Sequence, residues 1–205
     1  MQNRINLVFA TNQDYIQHLC AALKSLLENN KDLSFRIYLI NSGIAENIYR
    51  KIIRVITPYN CQMENIVISD DYFRGLVLTH HYSKEIYYRL LIPQLIHEEK
   101  ALYLDADIIV NGSIKELYNQ DIEDYYVCAV EDPFFDRYEE LNIMPSAKYF
   151  NSGVILINIK KWRETDLQKK SYRLCRKKLQ HHSLSGSGRP EFTDPGEMEK
   201  TSAEI

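Results

Sequence analysis

Short apolar runs alternate with segments of helical periodicity along most of the chain. The apolar run at residues 5–10 predicts a buried strand, and apolar residues at three- and four-residue steps over 15–27 predict an amphipathic helix. The same alternation predicts strands at 33–40 and 66–69 on either side of a helix at 45–56. Strands that alternate with helices pair in parallel through crossover connections, so the sequence predicts a three-layer α/β sandwich.

The pattern continues through the second half of the chain and then stops. Ser83 is placed to cap a further helix, and the later predicted elements are a strand leading into Asp105, a strand at 125–130, an apolar run at 154–159 and a basic helix at about 166–180. From Ser183 onward there is no apolar periodicity, and the segment is rich in glycine and proline. We therefore expect one folded domain at 1–182 and a disordered or non-native tail at 183–205.

Composition narrows the classes of protein that the chain can represent. A chain of 205 residues with 45% hydrophobic composition can bury a core, and a net charge of −3 argues against general nucleic-acid binding. The four cysteines form no Cys-x-x-Cys pair, which favours free thiols in a reducing compartment. The apolar stretch near the N-terminus is too short for a signal peptide or a membrane span, so we expect a cytoplasmic protein.

Two aspartates follow directly on a short apolar strand. On an extended chain Asp105 and Asp107 would point to the same side, roughly 7 Å apart at about 3.3 Å per residue. Two like charges in an apolar setting need a counter-charge, and carboxylate oxygens suit Mg²⁺ or Mn²⁺. The alternative is a strand that ends in a polar turn. Because ligands bind at the carboxyl ends of parallel strands, residues 10–12 could face the same crevice as the aspartates.

Several nucleotide- and phosphate-binding classes are disfavoured by the positions of particular residues. No Gly-x-Gly-x-x-Gly or P-loop motif is present, and the first glycine is Gly43, which argues against a dinucleotide-binding cradle or a Walker-type kinase. A haloacid-dehalogenase-type phosphatase expects its Asp-x-Asp near the N-terminus with Thr or Val two residues later. Here the motif is at mid-chain and Ile109 occupies that place.

Four motifs, in a fixed order along the chain, resemble those of a known family. With the segments between them, they span about residues 5–180. They are Leu7–Tyr15, Tyr88–Leu90, Leu102–Asp107 and Tyr149–Trp162. They resemble the motifs of glycosyltransferase family 8, which includes bacterial lipopolysaccharide galactosyl- and glucosyltransferases and glycogenin. The resemblance implies a GT-A fold, a Rossmann-like α/β/α sandwich with a mixed, mainly parallel sheet.

The resemblance also implies an enzymatic activity. It implies an anomer-retaining hexosyltransferase that uses Mn²⁺ (or Mg²⁺) and takes galactose or glucose from UDP-galactose or UDP-glucose. The acceptor would be a carbohydrate or a lipid-linked glycan, in the biosynthesis of a cell-surface glycan of the lipopolysaccharide type.

Residues that bind the donor follow from the same resemblance. Asp105 and Asp107 would ligate a metal that bridges the diphosphate, with Ala106 beside the donor between them. The other implied donor-binding residues are Ala10, Thr11, Asn12 and Tyr15 around the uridine, Arg89 beside the sugar diphosphate, and Asn151, Ser152 and Gly153 around the sugar. Family members more often have aspartate in place of Asn12, but an amide can still accept and donate at the uracil edge. The alternatives are a solvated surface arginine at 89 and a plain turn at 151–153.

Catalytic and acceptor positions are implied as well. Asp132 falls where the family has an acidic residue close to donor and acceptor, and we assign catalytic roles to Asp132 and Asn151. His81 matches a position on the acceptor side. The alternatives are solvated loop charges at Glu131 and Asp132 and a loop histidine without a catalytic role.

The chain departs from the family pattern after the basic helix. The resemblance implies a later His-x-x-Gly-x-x-Lys-Pro-Trp-like element, whose histidine is a third metal ligand and whose lysine contacts the diphosphate. No such element occurs in these 205 residues. A second expectation is therefore a C-terminally truncated, catalytically impaired family member with residual nucleotide binding only.

The basic helix predicted at about 166–180 suggests a membrane surface as a further partner. Its basic residues are Lys169, Lys170, Arg173, Arg176, Lys177 and Lys178. They could contact the anionic inner face of a membrane, where lipid-linked acceptors lie, or they could form a solvated helix face.

Overall fold

The computed structural model describes residues 4–69, 85–141, 143–144, 147–167 and 169–171. The strands are β1 Ile5–Ala10, β2 Phe35–Asn41, β3 Cys61–Val67, β4 Lys100–Leu104, β5 Val127–Glu131 and β6 Phe150–Asn158. The helices are α1 Ile16–Glu28, α2 Glu46–Ile56, α3 Glu85–Leu95, α4 Lys115–Tyr118, α5 Tyr138–Leu141 and α6 Ile159–Glu164. A 3₁₀ turn, Gln13–Tyr15, precedes α1.

The six strands form one sheet in the order β3-β2-β1-β4-β6-β5. The first four strands in this order are mutually parallel, whereas β6 is antiparallel to both of its neighbours, β4 and β5. The mixed, mainly parallel sheet that the family resemblance implies is thereby confirmed.

Apolar side chains on both faces of the sheet pack against helices. On β1, Leu7 and Phe9 join the core beneath α1 and α2, whereas Val8 and Ala10 join a second core beneath α3 and α6. A strand covered on both faces is apolar in nearly every position, and that is why β1 appears in the sequence as one continuous apolar run. The two cores confirm the predicted three-layer arrangement.

β2 and β5 lie within two residues of their predicted bounds, whereas β3 and β6 begin well before their predicted starts because polar residues take part in pairing. β3 begins at Cys61 rather than at 66. Among the described residues it pairs only with β2, at the edge of the sheet, so many of its side chains are exposed and polar and give no apolar signal in the sequence. β6 begins at Phe150 rather than at 154, because residues before the apolar run continue the strand. The last residue of that predicted run, Ile159, already belongs to α6, which the Asn158 side chain caps.

Several predictions fall on residues outside the described ranges. These are His81, Ser83, the tail at 183–205 and the basic helix beyond residue 171. Lys169 and Lys170 are described, and both are exposed. No helix in the described part of the chain is long and apolar enough to cross a membrane.

Candidate functional site

Three chain segments meet at the carboxyl end of the parallel strands. β1 and β4 are neighbours and both end here, with Phe9 opposite Leu104. The antiparallel strand β6 passes the same edge near its beginning, where the Asp105 N–H donates to the Gly153 carbonyl at 2.8 Å. The sheet order therefore brings residues 10–12, 105–107 and 151–153 to one edge, as expected for a ligand site in an open α/β sheet.

The Asp105 carboxylate is held by two donors on one of its oxygens. The Tyr103 hydroxyl donates to Asp105 Oδ1 at 2.8 Å, and Arg89 Nη2 lies 3.5 Å from the same oxygen. Arg89 Nη1 also donates to the Ser152 carbonyl at 2.7 Å, and the guanidinium lies over the Tyr103 ring at 4.8 Å. The Arg89 side chain is only 16% exposed, so it is not a solvated surface arginine but the counter-charge of Asp105.

The segment 105–107 is a turn and not the extended strand end that we predicted. β4 ends at Leu104, and the chain turns at Ala106 and Asp107, so the spacing argument from an extended strand is wrong. Ala106 is buried and Asp107 is exposed. Burial raises the pKa of the Tyr103 hydroxyl; Arg89 opposes this shift, and the carboxylates of Asp105 and Asp107 add to it. Asp105 accepts a hydrogen bond from this hydroxyl, whereas Asp107 affects it only through its charge.

Gly153 allows the backbone of β6 to approach Asp105 closely. A Cβ atom at this position would lie 2.8 Å from Asp105 Oδ2 and 3.1 Å from Asn151 Oδ1. The Gly153 N–H donates to Asn151 Oδ1 at 2.8 Å, which fixes the amide of Asn151 beside the aspartate. Asn151 and Ser152 are exposed at the site, within a strand and not in the plain turn that was the alternative.

The segment after β1 presents a capped turn and an aromatic ring. Asn12 Oδ1 accepts from the backbone N–H groups of Asp14 and Tyr15, at 3.1 and 3.3 Å, and caps the 3₁₀ turn that leads into α1. Ala10 and Thr11 are buried, whereas the Tyr15 ring is about half exposed and lies 5.4 Å from that of His18. An exposed ring next to a fixed amide can receive a planar base.

Asp132 and Asn151 line one cavity of about 320 Å³, and its other lining residues are Val130, Glu131, Pro133 and Val154. The Asp132 N–H donates to the Tyr149 carbonyl, and Asp132 Oδ1 accepts from the Phe134 N–H at 3.1 Å. Asp132 is partly buried, whereas Glu131 is exposed, 3.6 Å from Lys148 Nζ. Both acids line the cavity, but Glu131 is paired with a lysine, whereas the Asp132 carboxylate accepts only a backbone N–H among the contacts described.

Tyr103 is a site residue that we did not assign from the sequence. It lies two residues before Asp105 in the same motif, and this spacing is the feature of the sequence that could have identified it as a neighbour of Asp105. In the described residues, no group of three or more histidine, cysteine or acidic side chains could hold a metal ion. The carboxylates that the structure places at the sheet edge are those of Asp105 and Asp107.

The family model described as Glycosyl transferase family 8 matches residues 6–187. The chain belongs to glycosyl transferase family 8. Two relatives illustrate the range of this family: general stress protein A of Bacillus subtilis, strain 168, is 30% identical over 81% of the chain, and glycosyltransferase GlyB of Streptococcus pneumoniae serotype 4 is 33% identical over 80%. The family 8 chain spans 60% of the first relative and 38% of the second.

A solved structure of similar fold is the galactosyltransferase LgtC, crystallised with donor and acceptor sugar analogs. It is 28% identical, with a TM-score of 0.69 over 78% of this chain and 60% of that chain. The family 8 chain thus has the GT-A fold of that glycosyltransferase, which confirms the predicted fold class and family.

Proposed function

We propose that this chain carries the donor site of a retaining hexosyltransferase, which transfers galactose or glucose from a UDP-sugar to a carbohydrate hydroxyl. The observation that carries the proposal is the convergence of Arg89 and Gly153 on Asp105 at the carboxyl edge of the sheet. Family membership and the likeness to LgtC, whose crystals held donor and acceptor analogs, support it.

The side chains at the sheet edge fit a hard divalent cation. Two carboxylates, Asp105 and Asp107, lie in the turn directly after β4, and oxygen ligands of this kind suit Mn²⁺ or Mg²⁺. We propose that these two residues would hold the ion. When bound, the cation neutralises the diphosphate charge, so that UDP is a better leaving group.

Arg89 would contact the donor diphosphate. Its guanidinium is already oriented by Ser152 and Asp105, and its planar fork of N–H donors matches diphosphate oxygens. The Arg89 Nε is buried and has no hydrogen-bond partner among the described residues. Because this N–H has no exposed surface, the Nη groups of Arg89 would make the contact with the diphosphate.

The uridine would lie over the segment that follows β1. Because Asn12 Oδ1 accepts from two backbone N–H groups, its amide N–H groups would donate to the uracil edge. The exposed Tyr15 ring would stack near the base, and Ala10 and Thr11 would form the floor.

The sugar and the acceptor would meet at the Asp132 cavity. Asn151 and Ser152 offer hydrogen bonds to sugar hydroxyls, and the Asp132 carboxylate would accept one from a hydroxyl of donor or acceptor. His81 stays a prediction for the acceptor side. We further propose a lipopolysaccharide-type glycan as the acceptor class, a cytoplasmic location, and contact of the basic helix with the inner membrane face.

Titration calorimetry with UDP, in the presence and absence of Mn²⁺, tests the donor site. We expect Mn²⁺ to strengthen UDP binding in the wild type and to have little effect in Asp107→Ala, because the cation then lacks one carboxylate. Equal UDP affinity with and without Mn²⁺ in the wild type would refute the metal role. Assays of UDP release from a panel of UDP-sugars identify the donor, and binding without any turnover would favour the alternative of residual nucleotide binding.

A further inference from the structure

The chain that follows Asp107 runs along α1 and is held by side chains of that helix. The Val110 N–H donates to Ser25 Oγ at 3.0 Å, and the Val110 carbonyl accepts from Asn29 Nδ2 at 3.0 Å. Ser25 and Asn29 are four residues apart and so lie on one face of the helix end. Together they satisfy both backbone groups of Val110, as a neighbouring strand would.

Asn30 repeats this arrangement a few residues further along the same segment. Its Oδ1 accepts from the Ile114 N–H at 2.9 Å, and its Nδ2 donates to the Gly112 carbonyl at 3.2 Å. The Asn30 side chain also donates to the Leu26 carbonyl at 2.9 Å, and the residue is only 1% exposed. A buried amide with its oxygen and nitrogen both bonded is a rigid connection, since breaking it would leave polar groups buried without partners.

Asp107 lies between two points at which hydrogen bonds hold the backbone. Before it, the Asp105 N–H is bonded to the Gly153 carbonyl, and after it the Val110 N–H is bonded to Ser25. Asp107 itself is exposed, whereas Ile108 and Val110 pack against the core beneath α1. The position of the Asp107 carboxylate therefore depends on how firmly the chain is held at Val110.

We propose that Ser25, Asn29 and Asn30 are positioning residues for Asp107, and that through it they set the affinity of the site for a divalent cation with a nucleoside diphosphate. This inference rests on the proposed function. α1 follows directly on the turn capped by Asn12, so its beginning adjoins the uridine segment and its end holds the segment after Asp107. One helix of 13 residues joins the two halves of the donor site.

The test uses the double variant Ser25→Ala/Asn29→Ala in the full chain, which removes both side-chain bonds to Val110 and leaves the buried Asn30 intact. The matched control is Asn158→Ala. Asn158 also bonds backbone groups through its side chain, the Ile122 carbonyl at 2.8 Å and, as the cap of α6, the Lys161 N–H at 2.9 Å, but it lies at the far end of β6 from Gly153. It is more buried than Ser25 and Asn29, so its loss is at least as severe a test of general destabilisation. Thermal melts establish that each variant is folded at the assay temperature, and the single variant Ser25→Ala replaces the double variant if that one does not fold.

Two measurements are made on each variant. Hydrogen–deuterium exchange of the peptide covering residues 105–114 reports whether the anchor is lost, and calorimetry gives the Mn²⁺ concentration for half-maximal UDP binding. We expect faster exchange and a roughly tenfold higher Mn²⁺ requirement in the double variant, in the range found for partners that orient metal ligands. In Asn158→Ala both quantities should match the wild type despite a lower melting temperature.

Faster exchange with an unchanged Mn²⁺ requirement would overturn the inference, and so would unchanged exchange. An equal loss of affinity in Asn158→Ala would mean that general destabilisation is responsible, and would also overturn it. A wild type whose UDP binding ignores Mn²⁺ would instead refute the proposed function on which the inference rests. The wild-type titration therefore separates the two failures.

Discussion

The Tyr103 hydroxyl donates a 2.8 Å hydrogen bond to Oδ1 of Asp105, two residues further along the chain. Tyr103 is buried in the sheet, so its ring cannot move away from the carboxylate. The same oxygen faces Arg89, whereas Oδ2 lies against the backbone at Gly153. The orientation of the Asp105 carboxylate is thus determined from the protein side before any donor binds.

We predict that Tyr103→Phe weakens Mn²⁺-dependent UDP binding about tenfold, because removing a partner that orients a metal ligand typically costs 10- to 100-fold. The ring is retained, so stability should fall by only about 1 kcal/mol, the value of one hydrogen bond. Calorimetry and thermal melts measure the two effects.

Tyr118→Phe is the matched control for this substitution. The Tyr118 hydroxyl is also held in the protein, where it donates to the Lys100 carbonyl at the opposite end of β4, 3.2 Å away. Because the Tyr118 hydroxyl also accepts from the backbone and side-chain N–H groups of Asn6, at 3.3 and 3.2 Å, we expect at least as large a loss of stability, with unchanged UDP affinity. A similar loss of affinity in both variants would show that Tyr103 has no specific role in the site.

A second prediction concerns the close approach of β6 to Asp105. In Gly153→Ala the new methyl group would meet Asp105 Oδ2 at 2.8 Å and Asn151 Oδ1 at 3.1 Å, so at least one of these groups must move. We expect Mn²⁺-dependent UDP binding to fall at least tenfold, since both groups belong to the proposed donor site. Gly112→Ala is the control, because a Cβ there meets no atom within 4 Å. Normal binding by Gly153→Ala would contradict the proposed role of this edge.

The fold could be predicted from the sequence wherever burial controls the pattern. β1 and α1 are apolar on the faces that the core covers, so periodicity found both, within a residue at the start of α1. β3 was misplaced because an edge strand needs few apolar side chains. At Asp105–Asp107 the preferred prediction of an extended strand end was wrong and the alternative of a polar turn was right, because the backbone there is set by contacts distant in sequence, such as the bond from the Asp105 N–H to Gly153 in β6.

The candidate site was predicted mainly through the family resemblance. Without it, Arg89 has no local signal, since its burial depends on Ser152 and Tyr103. The hydrogen bonds of Asn30 cannot be predicted from the sequence for the same reason, because its partners Gly112 and Ile114 lie more than 80 residues away. Sequence patterns report local burial, whereas these contacts arise only when separate elements pack together.

A third prediction concerns the segment 183–205. Because it lacks an apolar face, its removal should change stability by less than about 0.5 kcal/mol, the usual limit for surface changes. For a domain of this size that corresponds to a melting temperature shift of at most about 2 °C. Thermal melts of the full chain and of residues 1–182 test this prediction. A melting temperature several degrees lower for residues 1–182 would show that the segment is docked on the domain.

The fourth prediction concerns acid sensitivity at the end of α1. Glu28 accepts hydrogen bonds from Lys24, Lys31 and Tyr59 at 2.6–2.7 Å. These bonds lower the pKa of Glu28 from 4.5 to about 2. A carboxylate with a depressed pKa in the folded state contributes stability above its unfolded pKa, and that contribution is lost as the pH falls towards the folded value.

We therefore expect the difference in melting temperature between the wild type and Glu28→Gln to be largest above pH 5 and to shrink as the pH is lowered towards 2. The side chain is 39% exposed, so the difference should be small and should decrease in 1 M NaCl. Glu46→Gln is the control, because among the described residues Glu46 has one ion-pair partner, Arg50, at 3.1 Å, and its variant should differ less from the wild type. A difference for Glu28→Gln that stays constant from pH 6 to pH 2 would mean that ionisation of this carboxylate does not stabilise the fold.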